Sequence, residues 1–493
     1  MTDPSRIPVI IGAGEINDRP AADEPGLDSV GLMAEAAHRA DVDAGGGWLG
    51  RCDWVAITPQ ISFRDLDVPV LLREALAFAP RTLFQADMPN GDTPVKHLSD
   101  AANAIGAGEA QVCLLTGGEA LRTSARRAAA SGGGGSIFAG SLASASELRR
   151  RYGLITPSEI YPFYENACRA AWGQSLAEGQ AESGAIWALM SEVAAQAEGA
   201  WLKQPKSAGE ITEWTADNRP IAFPYSKLMV ANSSVNQGAA LIVTSLALAR
   251  EAGIAEDQLV YIGAGAAAHE SDEPLTRGEW TGTPSMDLVL EKAMELNGLA
   301  ANDLDYVELY SCFPCVPKMA RRKLGLGVEQ PLTVHGGLTF GGGPIGNYMM
   351  HAAASMVRAL RRGGEYGLLY GNGGHCTHNH ALVLAAHPVA GVSFPQDYHF
   401  QHLADARRNP VPALGDDHEG PVTIETYTVF YGRDGKPTYG VVLARTSAGE
   451  RVVARVDAED EAGIAFLTNG LAEPVGSSGH TEKAGEVLHF RRD

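Results

Sequence analysis

Through about residue 390, short apolar runs, many of them closed by glycine, alternate with longer alanine-rich stretches. Such runs fit buried strands and such stretches fit helices, so the alternation predicts an α/β fold. The runs also recur in order. VIIGAG (residues 9–14) returns as VYIGAG (260–265), 251 residues later; DWVAIT (53–58) is answered by DYVELY (305–310), and LLTGG (114–118) by LLYGN (368–372). Three ordered matches at nearly one spacing predict two similar halves. Neither IGAG turn completes a dinucleotide-binding fingerprint: Asn17 stands where the first needs a third small residue, and the second lacks the acidic residue.

Two segments break the alternation. One opens with RTSARRAAASGGGGS, a basic stretch whose glycines read as a flexible linker. The other begins after LVLAAHPVAG, where a proline-bearing connector leads into VTIETYTVFY and TYGVVLA, alternating strands around an Asp-Gly turn; ERVVARV extends the meander. The expected organisation is a first half over residues 1–121 and 234–250, an insertion over 122–233, a second half over 251–392, a linker over 393–419 and a small all-β, OB-like module over 420–493.

Asp and Glu outnumber Lys and Arg by 59 to 39, a formal charge of -20, which argues against nucleic acid or an anionic membrane surface as partner. An anionic small ligand would need a local basic patch, and Arg126, Arg127, Arg149 and Arg150, with Arg151, Lys203 and Lys206, are the candidates. The opening residues lack the regions of a signal peptide, so a cytoplasmic location is expected. Residues 238–249, the most apolar stretch, fall short of the roughly 20 apolar residues that a membrane span needs. Six cysteines without disulfide-framework spacing are expected to be reduced.

HGGLTFGGGPIGNY (335–348) is the densest glycine segment, of the kind that brings backbone N–H groups close to a ligand. With these residues in view, the chain resembles the thiolase superfamily over about residues 5–390, and more narrowly the sterol-carrier-protein-type thiolases and the thiolase-like proteins of type 1, which carry a similar C-terminal β module. The resemblance implies a five-layered αβαβα fold of two duplicated halves and a loop domain that holds coenzyme A. It also implies descent from acetyl-CoA acetyltransferase-like acyltransferases of lipid metabolism, and a monomer or homodimer. Carried onto this chain, the family's nucleophilic cysteine falls on Gly91, the histidine of its Gly-His-Pro loop on Gly343 within Gly342–Gly343–Pro344, and its second cysteine on Gly371. Its Asn-Glu-Ala-Phe or His-Asp-Cys-Phe loop becomes Tyr310, Ser311, Cys312 and Phe313. Without acyl carrier, oxyanion donor and proton shuttle, ordinary thiolase chemistry is not expected.

What chemistry remains is open. HCTHNH (375–380) offers His375, Cys376, His378 and His380; read as a strand, it turns Cys376, His378 and His380 to one face and His375 to the other. A catalytic Cys376 with His375 or His378, a zinc site completed by His335 or Cys312, and hydrogen-bonded structural histidines are the alternatives, and no motif requires a metal. The C-x-x-C of Cys312 and Cys315 has no thioredoxin context and reads as packing under a pocket. Tyr310 replaces a polar catalytic-loop residue and either fills space or acts as acid or base, as tyrosines do in related thiolase-fold aldolases that work with an OB-fold domain. Tyr161, Tyr164 and Glu165 either shape the pocket or pack. Asn232 and Asn236 are expected to fix loop backbone, and Gly342, Gly343 and Gly373 to let coenzyme A or an acyl-CoA approach. Three functions follow: a CoA-binding acyltransferase relative, a lyase on a β-hydroxyacyl-CoA, and a non-enzymatic acyl-CoA sensor or complex subunit.

Overall fold

A computed structural model of the protein describes residues 3–21, 24–130 and 144–492, so the glycine run 132–135 lies outside the described residues. The strands that the apolar runs predict are buried along almost their whole length. β1 (Pro8–Asn17) and β7 (Asn236–Ser245) bury both faces, as strands covered by helices on both sides must. The first half orders its strands β3 (Thr82–Gln85), β2 (Trp54–Thr58), β4 (Val112–Ala120), β7, β1. The second half orders them β9 (Tyr306–Leu309), β10 (Tyr366–Gly373), β11 (His378–Ala385), β8 (Val260–His269).

The duplication lies in the pairing senses as well as in the residues. β2–β4 and β9–β10 are parallel, β4–β7 and β10–β11 antiparallel, β7–β1 and β11–β8 antiparallel again. β1 and β8, the VIIGAG and VYIGAG strands, join the halves through Val9–Tyr261 and Ile10–Val260. Helix α1 (Ser29–Asp43) covers the outer face of the first half, and α7 (Pro284–Asn297) and α8 (Cys315–Leu324) that of the second. Between the sheets lie α3 (Thr93–Ala107) and α9 (Tyr348–Arg362), which pack against strands of both halves. Five layers result, with the two most buried helices in the middle. The first turns of both point toward the segments that carry the glycines of interest.

The longer remaining helices of the first half and insertion are α2 (Val68–Leu76), α4 (Leu121–Ala130), α5 (Pro157–Ala171) and α6 (Leu176–Gln196). The hairpin β5 (Pro220–Ala222) and β6 (Tyr225–Ser226) then joins the edge of the C-terminal module through Ala222 and Phe430. That module is a small barrel of β12 (Gly420–Tyr431), β13 (Pro437–Thr446), β14 (Arg451–Asp457), β15 (Ser478–Ala484) and β16 (Val487–Arg492). Its strand order 12-13-14-16-15 closes back onto β12, β14 and β16 run parallel, and helix α10 (Glu461–Thr468) fills the step between β14 and β15. This is an OB-like barrel. Its core is built from Val422, Tyr427, Val442, Phe466 and Phe490.

Arg451 fastens the barrel to the body. Its side chain is fully buried, paired with Glu425 through two 2.7 Å hydrogen bonds, and it donates to the carbonyls of Leu275 (2.7 Å) and Arg277 (2.6 Å). Among the described residues all six cysteines are buried and free, and no helix is long and apolar enough to cross a membrane.

Candidate active site

Gly91 sits just before α3, and its surroundings decide what the site can do. A Cβ at this position would lie 2.1 Å from the Asn372 carbonyl oxygen and 2.4 Å from the Tyr310 hydroxyl. The place of a side chain on residue 91 is therefore taken by strand β10 and by the phenol. Gly371 is equally closed, because a Cβ there would meet Asp92 Cα at 2.9 Å and Val95 Cγ2 at 3.2 Å. Gly343 is tight, its Cβ position lying 3.2 Å from the Asn232 carbonyl oxygen and 3.4 Å from that of Leu338. The three glycines onto which the resemblance carries catalytic residues are thus closed at Gly91 and Gly371 and tight at Gly343.

Tyr310 follows β9, its N–H donating to the Tyr370 carbonyl at 3.1 Å. The ring is buried edge-on against Tyr348, with centroids 6.0 Å apart, and the hydroxyl makes no hydrogen bond to a described residue. Burial, with Cys312 and Asp92 nearby, pushes the phenol well above its ordinary value, so Tyr310 is a neutral donor. Below it, Glu308 accepts from Tyr348 (2.8 Å), Thr333 Oγ1 (2.8 Å) and the Val334 N–H (2.9 Å). Burial still pushes Glu308 up to about 7.

Thr333 Oγ1 in turn accepts the N–H groups of His335, Gly336 and Gly337, which fixes the start of the glycine segment. The segment continues as a single π-helical turn, Gly337–Gly341. Gly336 and Gly342 bound it at φ 108° and 100°, where L side chains are strained, and Gly342 packs against the Gln237 amide. Asn232 accepts the Gly343 N–H through its carbonyl (2.8 Å), and Asn236 Oδ1 accepts the Thr123 N–H (3.0 Å), so both asparagines hold loop backbone.

The HCTHNH segment corrects the strand reading. Residues 374–377 form a turn between β10 and β11, with Cys376 at φ 58°, so His375 and Cys376 are not strand residues. Cys376 turns toward Tyr161, whose hydroxyl accepts the Cys376 N–H (3.0 Å) and donates to Asn372 Oδ1 (2.8 Å). Buried Arg277 braces the same turn through the His375 carbonyl, Thr377 Oγ1 (2.8 Å) and the Tyr164 hydroxyl. Burial pushes the Cys376 thiol up to about 12, despite Arg277, and holds His375 down at about 3. Neither is poised as a thiolate or as a base near neutral pH. Tyr161 and Tyr164 thus build the site, whereas Glu165 is spent in a buried pair with Lys318.

His378 and His380 do share a face of β11, toward α3. His380 is buried against Ser99 Oγ (3.0 Å), while His378 is partly exposed beside Asp272 (3.7 Å) and stacks on His269. Cys376 does not join them. His335 lies elsewhere, with Glu15 and His351, three side chains whose ligand atoms fall within 4.8 Å of one another. Glu15 is already bound by His351 (2.7 Å) and by Arg358.

Asp92 is the residue that sequence reasoning missed. A carboxylate before Thr-Pro signals a helix N-cap, yet the Asp92 side chain makes no capping bond. Its Oδ1 lies 3.0 Å from where a Cβ on Gly373 would stand, and the Gly91 N–H is beside the same point. Burial raises its pKa, with His378, Lys96 and His269 opposing. Asp92 thus borders Gly373 and Tyr310 borders Gly91, with His378 acting on Asp92 by its charge; the carboxyl is inclined to hold a proton and the phenol is a neutral donor.

The basic residues separate. Arg149 is 4% exposed and donates to the carbonyls of Leu154 (2.8 Å) and Ile155 (3.1 Å), so its guanidinium is built into the insertion and does not grip a surface phosphate. Arg150 donates to the Ala145 carbonyl, Arg126 to Ala21 (2.7 Å) and Arg127 to Gly26 (3.2 Å). Two further cavities lie away from Tyr310. One, of about 270 Å³, is lined by Glu270, Arg277 and Arg408 behind the Cys376 turn, and the other, of about 310 Å³, by Arg6 and Phe394.

Comparison with known proteins adds to this geometry. The description of the thiolase-like protein type 1 additional C-terminal domain matches residues 404–486. A monomeric SCP2-thiolase-like protein type 1 from Mycobacterium smegmatis is 30% identical, with 100% of each chain covered and a TM-score of 0.84. An Ltp2–ChsH2(DUF35) aldolase is 20% identical over 78% of this chain and 98% of its own, with a TM-score of 0.60. Human mitochondrial 3-ketoacyl-CoA thiolase in complex with CoA is 16% identical over 78% and 99%, with a TM-score of 0.57. No curated protein matches the chain significantly.

Proposed function

This chain belongs to the SCP2-thiolase-like proteins of type 1, and on that premise we propose that it binds coenzyme A or an acyl-CoA as a monomer and performs no thiolysis or Claisen condensation. The observation that carries the reading is the Tyr310 hydroxyl, 2.4 Å from where a side chain on Gly91 would begin. No acyl carrier can occupy that place, and the thiols nearby are buried and protonated. CoA in a human thiolase of the same fold supports the ligand class. The fold in turn suggests descent from acyltransferases of lipid metabolism, with residues 122–233, where Arg126, Arg127 and Arg150 lie, as the segment over the ligand. The test is calorimetric titration of the full chain with CoA and acetyl-CoA beside a thiolysis assay on acetoacetyl-CoA. Binding without thiolysis is expected; turnover at an ordinary thiolase rate overturns the reading.

A second reading is favoured by Asp92 and Tyr310 together. A retro-aldol cleavage of a β-hydroxyacyl-CoA removes the hydroxyl proton to a base, breaks the Cα–Cβ bond, releases an aldehyde or ketone, and returns a proton to the thioester α-carbon. A carboxylate beside Gly373 and a phenol beside Gly91 suit those two transfers. The structural likeness to an aldolase that pairs a thiolase-like subunit with a DUF35 partner points the same way, and here the OB-like module is part of the chain. Incubation with 3-hydroxyacyl-CoA thioesters, followed by mass spectrometry, checks it. Release of acetyl-CoA that Tyr310→Phe and Asp92→Asn each abolish supports the lyase, and release unchanged in both variants removes these residues from it.

A further inference from the structure

A group of cations stands apart from the Tyr310 site, across the glycine segment. Trp201 follows α6 in the insertion, and its N–H donates to the Gly341 carbonyl at 2.9 Å. Arg19, just beyond β1, lays its guanidinium 3.9 Å from the Trp201 ring centroid and donates to the Trp201 carbonyl. Arg122, in the first turn of α4, reaches the same ring at 5.5 Å. Lys203, two residues after Trp201, directs its ammonium toward the carbonyls of Ala197 and Glu198. The indole is 3% exposed under this cover.

The arrangement is electrostatically incomplete. No described carboxylate lies within ion-pair distance of Arg19, Arg122 or Lys203, and the Arg122 side chain makes no hydrogen bond to a described residue. Burial and the neighbouring charge of Arg122 both draw Arg19 below its ordinary pKa. A cation in the first turn of a helix is also unfavourably placed against the helix dipole. Glu15 and Glu198 act on Lys203 from beyond ion-pair distance, and both lie nearer to Arg358. Arg19, Arg122 and Lys203 are all exposed, so in a chain of formal charge -20 they form a local basic patch open to an anion from solution.

We propose that Arg19 and Arg122, gathered on Trp201, together with neighbouring Lys203, form a binding site for a phosphate-bearing ligand. Two guanidinium forks and an ammonium supply the charge-assisted donors that phosphate oxygens take, and the indole holds the forks in place. The ligand is a free phosphate, a nucleotide or the phosphates of coenzyme A, which share this chemistry. The site stands independently of the acyl-CoA reading, since phosphate binding can be present where CoA binding is not.

The test is calorimetric titration of the full chain with inorganic phosphate, ADP and CoA, repeated with Arg122→Gln and with Arg19→Gln/Arg122→Gln, after circular dichroism and thermal unfolding confirm that each variant folds. Arg122→Gln removes charge without breaking a hydrogen bond, so it tests the site even if the double variant unfolds. Saturable binding of phosphate or ADP that weakens about tenfold in Arg122→Gln, and weakens with added salt, is expected. Whichever probe loses most affinity identifies the source of the phosphate. Absence of saturable binding of phosphate and ADP to the wild-type chain, or binding unchanged in Arg122→Gln, overturns the proposal.

Discussion

At the residue scale the candidate site differs from an emptied one. Losing a cysteine to glycine leaves space only if nothing moves in, and at Gly91 the Tyr310 phenol and the Asn372 carbonyl have done so. Gly91→Cys is therefore expected to leave thiolysis absent and to destabilise the chain by about 1–3 kcal/mol through overpacking. Thermal unfolding beside a thiolysis assay checks both. Tyr310→Phe removes a hydroxyl without a described hydrogen-bond partner, so stability should change by about 1 kcal/mol or less while any lyase activity is lost. A large drop in melting temperature would show that the hydroxyl is structural. The resemblance carried the thiolase residues onto Gly91, Gly343 and Gly371 because those glycines fall in segments with recognisable flanks. Asp92 was not legible, because an Asp before Thr-Pro is an ordinary helix start, and only the lack of a capping bond from its side chain marks it as different.

At the element scale, the turn after β10 shows where pattern reading failed. HCTHNH alternates as a strand does, but a left-handed residue at Cys376 reverses the chain, and Tyr161 and Arg277 pin it from the insertion and from the loop after β8. Those contacts cross 98 and 215 residues and leave no local mark. The barrel is held by an equally remote bond. Arg451 joins Glu425 to the carbonyls of Leu275 and Arg277, so Arg451→Met leaves those two carbonyls unpaired and Glu425 with Arg445 as its remaining ion pair. A loss of about 2–4 kcal/mol is expected in denaturant unfolding. A loss below about 1 kcal/mol would mean that the barrel is fastened elsewhere.

At the scale of the whole molecule, burial sets the response to acid. His97 and His335 are held at about 4, and His375 and His380 at about 3, chiefly by burial. The unfolded chain protonates these side chains from about pH 6.5 downward while the native one does not, so each subtracts stability as pH falls toward 4. Glu119 and Glu308, pushed up to about 7 by burial, act oppositely between about pH 7 and 4.5, and Asp92, Glu159 and Asp287 lean the same way. Below 4.5 Glu15 reinforces the histidines. Burial raises it, but the His351 hydrogen bond and the Arg358 charge help to hold it at about 2, and the stability they confer above pH 4.5 is lost toward pH 2. Four fully shifted histidines outweigh two glutamates, so the melting temperature should fall steadily below about pH 6. His97→Phe, which removes a ring with two unpartnered nitrogens, should flatten that fall. An unchanged slope would show that His97 does not contribute.

The sequence by itself determined the layered α/β class, the duplication and the β module, because strand periodicity and glycine placement are local properties that repeat when a unit repeats. By resemblance it also carried the family's nucleophile, histidine and second cysteine onto Gly91, Gly343 and Gly371, since residue identity needs no coordinates. Only the tertiary structure decided what replaced them. Tyr310 fills the place beside Gly91, Asp92 faces Gly373, Arg149 is consumed by carbonyls, and Arg19 and Arg122 meet on one indole. The physical reason is common to all four: charge, space and hydrogen bonding act over a few ångströms between groups that the chain order sets far apart.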